Sequence, residues 1–355
     1  MNVLFVTDTP RPNGNDLWRG LWPAANLQQH GHGAAVWSVA PNAEPPMANI
    51  NVIVCCQRAE NRLGATAHLR EWCEAHRILL VADVTDDPYP DDSPLWQRKR
   101  RINNTTIEDL VFDHLRNVHL ITVNTPTMKV RLRGLHTNIE VIEDQYYPPQ
   151  WTIEREPHNG VVIGVAGGDT HANDWRVLID PWKRIAKEYP QTRFAIIGAQ
   201  YDYLLDCVPT SRTIVVPWRD VLSYQKSYAT LDIGCAPLAE TIWNASKSPI
   251  KWVEYGLAGA APVVSRTVYS RYCQHAIDAL VVNTSEQWYR ALSILVNNPG
   301  FRARIATNAR KHAAERFALT ALSADERVAI YQRYRNQIFG ELDGSRIPNA
   351  VPDPA

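Results

Sequence analysis

A chain of 355 residues exceeds what one hydrophobic core usually spans and implies about two domains. Its 45% hydrophobic and 21% charged residues exclude a disordered chain, and Lys+Arg and Asp+Glu, both at 37, give no global field toward nucleic acid or anionic membrane. No apolar run approaches the roughly 18 residues of a membrane span, the first residues lack a signal-peptide pattern, and the six cysteines form no CxxC pair, so a cytoplasmic protein with small buried thiols is expected.

Residues 3–7 are a continuous apolar run, too short for a helix and suited to a buried parallel strand. A polar loop at 10–15 contains Gly14, free to take positive φ, and 18–30 then shows helical spacing that stops at Gly31. Further strands are expected at 34–38, 52–56, 78–84, 120–123 and 139–142, with helices at 65–75 and 107–116. Residues 86–106, rich in Pro, Asp and Arg, read as a surface excursion. Three prolines among polar residues at 146–159 mark an interdomain linker. The pattern then restarts, with strands at 161–165, 194–197, 213–216, 232–236, 262–265 and 279–282. Helices are expected at 174–189, 220–229, 249–258, 286–297 and 301–317. A last amphipathic helix, 319–339, has no strand after it, and 341–355 reads as a disordered tail. This alternation is that of an α/β fold with parallel sheets: one Rossmann-like domain over 1–150, a second over 151–318, and a separate helix within 319–340.

The richest stretch chemically is 231–265, which reads strand, polar loop, helix, small-residue turn, strand. In a parallel sheet the loop after a strand's carboxyl end opens into the ligand crevice, and here it supplies Glu240, Asn244, Ser246, Lys247 and Ser248. Pro249 pre-sets a helix start whose exposed amides, beside a lysine, suit a diphosphate. Lys247, Lys251 and Glu254 share a helical face; the lysines suit phosphates and the carboxylate suits ribose hydroxyls. From spacing alone, a plain ion pair on a solvated helix is the stronger reading. A second turn, Gly167, Gly168, Asp169, Thr170, His171, leads into a helix near Asp174, and its glycines let backbone approach a ligand. Helix capping equally explains Asp169, Thr170 and Asp174. The glycine spacing is neither a dinucleotide fingerprint nor a Walker A loop, which sets a nicotinamide dehydrogenase aside.

The segment 244–264 resembles the donor-binding segment of glycosyltransferase family 4 and its relatives, through Asn244, Lys247, Ser248, Lys251, Glu254, Gly259, Pro262, Val263 and Val264. The turn at 164–174 is similar to the one that opens the C-terminal domain of such enzymes, and Asn13, Gly14, Asn15 and Arg19 stand where their N-terminal loop faces the donor phosphates. The resemblance implies a GT-B architecture, with two Rossmann-like domains facing an interdomain cleft, and a last helix that crosses back to the first domain. It also implies transfer of a sugar from a nucleotide-diphosphate donor with retention of configuration, and neither a cofactor nor a metal. Glu254 then corresponds to the ribose-holding second glutamate of the family's paired motif, while the place of the first is taken by Ser246. Donor contacts are thereby expected from Gly14, Asn15, Gly167, Gly168, Asp169, Thr170, His171, Asn244, Lys247, Ser248, Lys251 and Glu254.

The run 81–92 is similar to a strand ending in an acidic pair in such proteins; Asp83, Asp86 and Asp87 would face the cleft, where Asp86 or Asp87 could orient an acceptor or act as base. Trp18, Trp22 and Trp96 are candidates to line an acceptor cleft, though core packing explains them equally well. The acceptor stays open among glycan, lipid-linked, small-molecule and modified-DNA classes; the basic run 98–101 reads first as a solvated helix start and otherwise points to an anionic acceptor such as a lipid pyrophosphate or DNA, while the net −3 of residues 1–150 opposes a broad DNA-binding face. A protein that binds nucleotide sugar without turnover, prompted by Ser246, is the other alternative.

Overall fold

The computed structural model describes residues 1–7, 13–38, 46–56, 66–89, 101–102, 105–155 and 157–340. The expected tail at 341–355, Trp96, the run 98–100 and most of the 86–106 excursion lie outside them.

The first sheet is built from β1 (Asn2–Thr7), β2 (Gly33–Ser38), β3 (Val52–Cys56) and β4 (Leu79–Val84). A short antiparallel pair, β5 (Arg101–Ile102) and β6 (Thr105–Thr106), precedes β7 (Leu120–Val123) and β8 (Ile139–Val141). The second sheet comprises β9 (Val161–Gly167), β10 (Thr192–Gly198), β11 (Thr213–Pro217), β12 (Ile233–Ala236), β13 (Ala261–Ser265) and β14 (Leu280–Val282). Each sheet has six parallel strands, in the orders β2-β1-β3-β4-β7-β8 and β11-β10-β9-β12-β13-β14.

Helices cover both faces of both sheets, which is why the central strands are apolar throughout rather than alternating. In the first sheet Leu4, Val6, Ile53, Leu80 and Ile121 point to one face, with Leu115, Met128 and Leu132 packed on it. Val3, Phe5, Val52, Val54 and Leu79 point to the other, against Ala24, Leu27 and the last helix through Ala324 and Tyr331. That helix, Ala321–Phe339, belongs in sequence to the second half but packs on the first sheet. The chain crosses between halves twice, side by side: Tyr146 donates to the Phe317 carbonyl and Leu319 to the Tyr146 carbonyl, both at 2.8 Å.

Helix starts differ from the sequence reading where caps intervene. The expected helix at 174 opens as a 3-10 turn, Asp174–Leu178, because Asp174 is drawn into side-chain bonds, and the α-helix proper is Ile179–Glu188. Pro249, expected as the first helical position, is instead the N-cap of Ile250–Leu257. The helix expected over 18–30 is interrupted at its start by a π-helical turn, Leu17–Leu21, followed by Trp22–Gln29.

At the centre of the second sheet the strand order reverses between β9 and β12. Tyr255 bridges the two strands there: its phenol oxygen accepts from the Ala166 amide at 3.0 Å and donates to the Cys235 carbonyl at 3.1 Å. Its ring lies flat against Gly234, where a Cβ would stand 2.3 Å from a ring carbon. Gly234→Ala therefore forces Tyr255 off the strands. It is expected to lower stability by about 1–3 kcal/mol, the range for overpacking a core, read as a lower urea midpoint with an unchanged slope.

Candidate functional site

The carboxyl ends of the two sheets face each other across a cleft, and the loops after β1, β4, β7, β9, β11, β12 and β13 all contribute to one cavity. Its volume of about 190 Å³ is about 13 to 19 times the roughly 10–15 Å³ that one water needs by the same measure.

The loop after β9 presents Gly168 with open space where a Cβ would be. Gly167 also lines the cavity, but its missing side chain serves the protein: a Cβ there would stand 2.6 Å from His171 Cδ2. His171 lines the cavity and is held through Nδ1 by Asp174 Oδ2 at 2.8 Å, with its ring stacked on Trp175. Burial, and then the ammonium groups of Lys247 and Lys251, lower its basicity, and they outweigh the opposing pull of Asp174. Asp174 Oδ1 accepts from the Ala239 amide at 2.9 Å and Asn244 Nδ2 at 2.7 Å. One buried carboxylate thus ties the loop after β9 to the loop after β12. Asp169 is exposed and Thr170 half-buried, and neither lines the cavity.

In the loop after β12, Asn244 is buried and holds Asp174 and the Ala239 carbonyl rather than facing the cavity. Ser246 is turned back, its Oγ donating to the Ile242 carbonyl, while its own carbonyl accepts from Thr125 of the first half at 2.9 Å. Lys247 and Ser248 line the cavity. Lys247 Nζ lies 3.7 Å above the Trp243 ring and 3.6 Å from Asp86 Oδ1 across the cleft. Lys251 and Glu254 also line it, but as a pair: Nζ is 2.6 Å from Glu254 Oε2 and donates to the hydroxyls of Tyr224 and Tyr228, both at 3.1 Å. Burial alone would lower the basicity of Lys251, and Glu254 reverses this, holding it above the ordinary lysine range. The spacing at 247, 251 and 254 therefore corresponds neither to an ion pair on a solvated face nor to two cations of equal standing. Lys251 is matched within its own helix and Lys247 reaches across the cleft.

From the first half come Gly14, with nothing within 4 Å of a Cβ, Asn15 and Trp18. Asn13 caps this turn, its Oδ1 accepting from the amides of Asn15 and Asp16 at 2.8 and 3.2 Å, so those amides are engaged within the protein. Arg19 does not face the cleft as the sequence suggested. It is buried, with Nε and Nη2 on the two oxygens of Asp83 at 2.7 and 2.8 Å and Nη1 on Asp144 Oδ1 at 2.9 Å. Burial opposes its charge, but the two carboxylates hold its pKa above the ordinary arginine value. Asp83, expected to face the cleft, is consumed here and by Thr122 Oγ1 at 2.6 Å. Asp87 is likewise withdrawn: Arg131 Nε donates to it at 2.7 Å and it does not line the cavity, so among the described residues of that run Asp86 is the carboxylate that lines it. Trp18 lines the cavity, whereas Trp22 is fully buried and bonds Gln150.

Sequence reasoning passed over the loop after β11. Trp218, 59% exposed, and Arg219 stand at the cavity, followed by Tyr224 and Gln225. An indole placed directly after a strand's carboxyl end was the available signal.

No protein-family model matches the chain, and no curated protein matches it. Solved structures do. The chain is similar to HepE of Anabaena in complex with UDP-glucose, at 17% identity and TM-score 0.62, with 95% of this chain and 99% of that one covered. It is similar to sucrose-phosphate synthase of Thermosynechococcus elongatus, at 10% identity and TM-score 0.65, covering 94% and 99%. It is also similar to a glycosyltransferase of Rickettsia africae, at 11% identity and TM-score 0.65, covering 94% and 98%. At such identities the likeness establishes the fold, and the chain has the two-domain GT-B fold.

The lowered basicity of His171 fixes the sign of a pH effect. An unfolded histidine takes up its proton near about pH 6.5, whereas folded His171 resists protonation, so its contribution is complete above that pH and is lost as pH falls through it. His171→Asn is expected to make the decline in unfolding free energy between about pH 7 and 5.5 shallower, by up to about 1.4 kcal/mol per pH unit. Urea titrations of both forms at several pH values check this.

Proposed function

We propose that this chain is a glycosyltransferase, of the family 4-like kind, that transfers a sugar from a nucleoside-diphosphate donor bound between the two halves. The observation that carries the reading is a cation and open backbone meeting from both halves. Lys247, Gly168 and Gly14 face one cavity at the carboxyl ends of two Rossmann-like sheets, where this architecture places ligands. The helix Ile250–Leu257 adds its N-terminus, which no side chain caps, at Ser248 and Ile250 on the cavity wall. HepE, of the same fold, carries UDP-glucose in its solved complex.

In this reading Lys247 neutralises the diphosphate as the sugar departs, the step at which charge develops and where a positioned cation contributes most. Glu254, oriented by Lys251 and Tyr228, faces the ribose. Trp218 offers an indole face for the base at the cavity rim. Asp86 orients or deprotonates the acceptor hydroxyl. Its pairing with Lys247 ends when a diphosphate, the more highly charged partner, takes the ammonium group. Configuration is retained without a dedicated protein nucleophile. Residues 1–150 receive the acceptor and 151–318 hold the donor, and the reaction belongs to the cytoplasm.

Lys247→Ala is expected to lower kcat/KM for donor about 100-fold or more, in line with removal of one group that stabilises developing charge. Trp218→Ala is expected to weaken UDP binding about 5- to 150-fold, since one base–aromatic stack contributes about 1–3 kcal/mol. Calorimetric titration with UDP and UDP-glucose, followed by an assay of sugar release, reads both. Unchanged donor affinity and turnover in Lys247→Ala would remove the assignment. Binding of donor without any transfer would leave a nucleotide-sugar-binding protein.

A further inference from the structure

Lys247 reaches across the cleft, and its aim depends on the backbone just before it. The short helix Ile242–Ala245 ends there, and the last carbonyls of a helix have no partner within it. Side chains supply the donors. The Ala245 carbonyl accepts from Arg271 Nη2 at 2.8 Å, and the Ser246 carbonyl from Thr125 Oγ1 of the first half at 2.9 Å. Arg271 also reaches the first half itself, where its Nη1 donates to Thr127 Oγ1.

Thr125 is buried, and as N-cap of the helix Pro126–Leu132 its oxygen accepts from the Met128 amide at 3.2 Å. A hydroxyl has one proton to donate, and that proton goes to the other half. The loop after β12 is therefore held in two ways. Asp174 grips Asn244 from within the second half, a contact that lasts however the halves are set. Thr125, and Arg271 through Thr127, hold its far end only while the halves are together. Neither Thr125 nor Arg271 lines the cavity, so each acts through the Lys247 that follows their carbonyl partners.

We propose that Thr125 and Arg271 form a latch that holds the cleft closed and, resting on the donor reading above, positions Lys247 for the diphosphate. Trp218, Glu254 and Gly168 all belong to the second half, so nucleotide binding survives an open latch. Departure of the sugar does not, because it needs Lys247 brought against the first half. The test compares wild type with Thr125→Val, Arg271→Ala, the two combined, and Thr125→Ser, which keeps the hydroxyl. Arg271 is exposed, so its variant carries the test should the valine forms fail to fold. Small-angle X-ray scattering without ligand is expected to give a larger radius of gyration for the valine and alanine forms, most of all when combined. Each single variant is expected to bind UDP as wild type does but to release sugar from UDP-glucose with kcat about three- to tenfold lower. Thr125→Ser restores both radius and kcat. Wild-type radii in the valine and alanine forms overturn the latch. Larger radii with unchanged kcat, or UDP affinity that falls in step with kcat, overturn the positioning of Lys247 and leave the donor reading standing. Absence of both UDP binding and sugar release in wild type overturns the donor reading and the positioning with it, while the scattering still decides the latch.

Discussion

The site depends on one buried carboxylate. Asp174 spends Oδ2 on His171 and Oδ1 on the Ala239 amide and Asn244, and so locks the loop after β9 to the loop after β12 where the strand order reverses. The first is rich in glycine, and the second runs through four-residue and eight-residue helices with a break between them. Removing a partner from a buried charge costs several kcal/mol, so the arrangement is kept firmly while the backbone at Gly168 stays bare for a ligand.

The first half solves the same problem with the opposite charge. Arg19, fully buried on a π-helical turn, joins Asp83 at the end of β4 to Asp144 beyond β8, and Asn124 extends the network to the cavity wall. Planar guanidinium geometry matches the two oxygens of Asp83 in a way that a lysine could not. Two anchors of opposite sign, each beneath its own set of loops, thus set the walls of the cleft. The two lysines that face the cavity then differ in their partners: Lys251 is matched by Glu254 at 2.6 Å, and Lys247 by Asp86 of the opposite half at the looser distance of 3.6 Å.

Most of the fold was legible in the sequence because buried parallel strands must be apolar on both faces. The runs at 3–7, 52–56 and 161–165 could hardly be anything else, and the restart after 160 announced a second sheet. The stretch 244–254 stood out as chemically rich, and Lys247, Ser248, Lys251 and Glu254 line the cavity. Direction was not legible. Arg19 turns inward because its partners lie 64 and 125 residues away, and Asp87 is taken by an arginine 44 residues on, distances that no local pattern encodes. Asn244 sits one short helix from the cavity and faces the other way because Asp174, 70 residues before it, needs a donor. Trp218 escaped notice because one aromatic after a strand carries no periodic signal.

A crystal structure of the chain grown with UDP puts the central claim to its most direct test. The account predicts the diphosphate between Lys247, Gly168 and Gly14, with the Lys247–Asp86 pair opened and the base at Trp218. Nucleotide bound away from the carboxyl ends of the two sheets, or a cleft that excludes it with that ion pair intact, would contradict it.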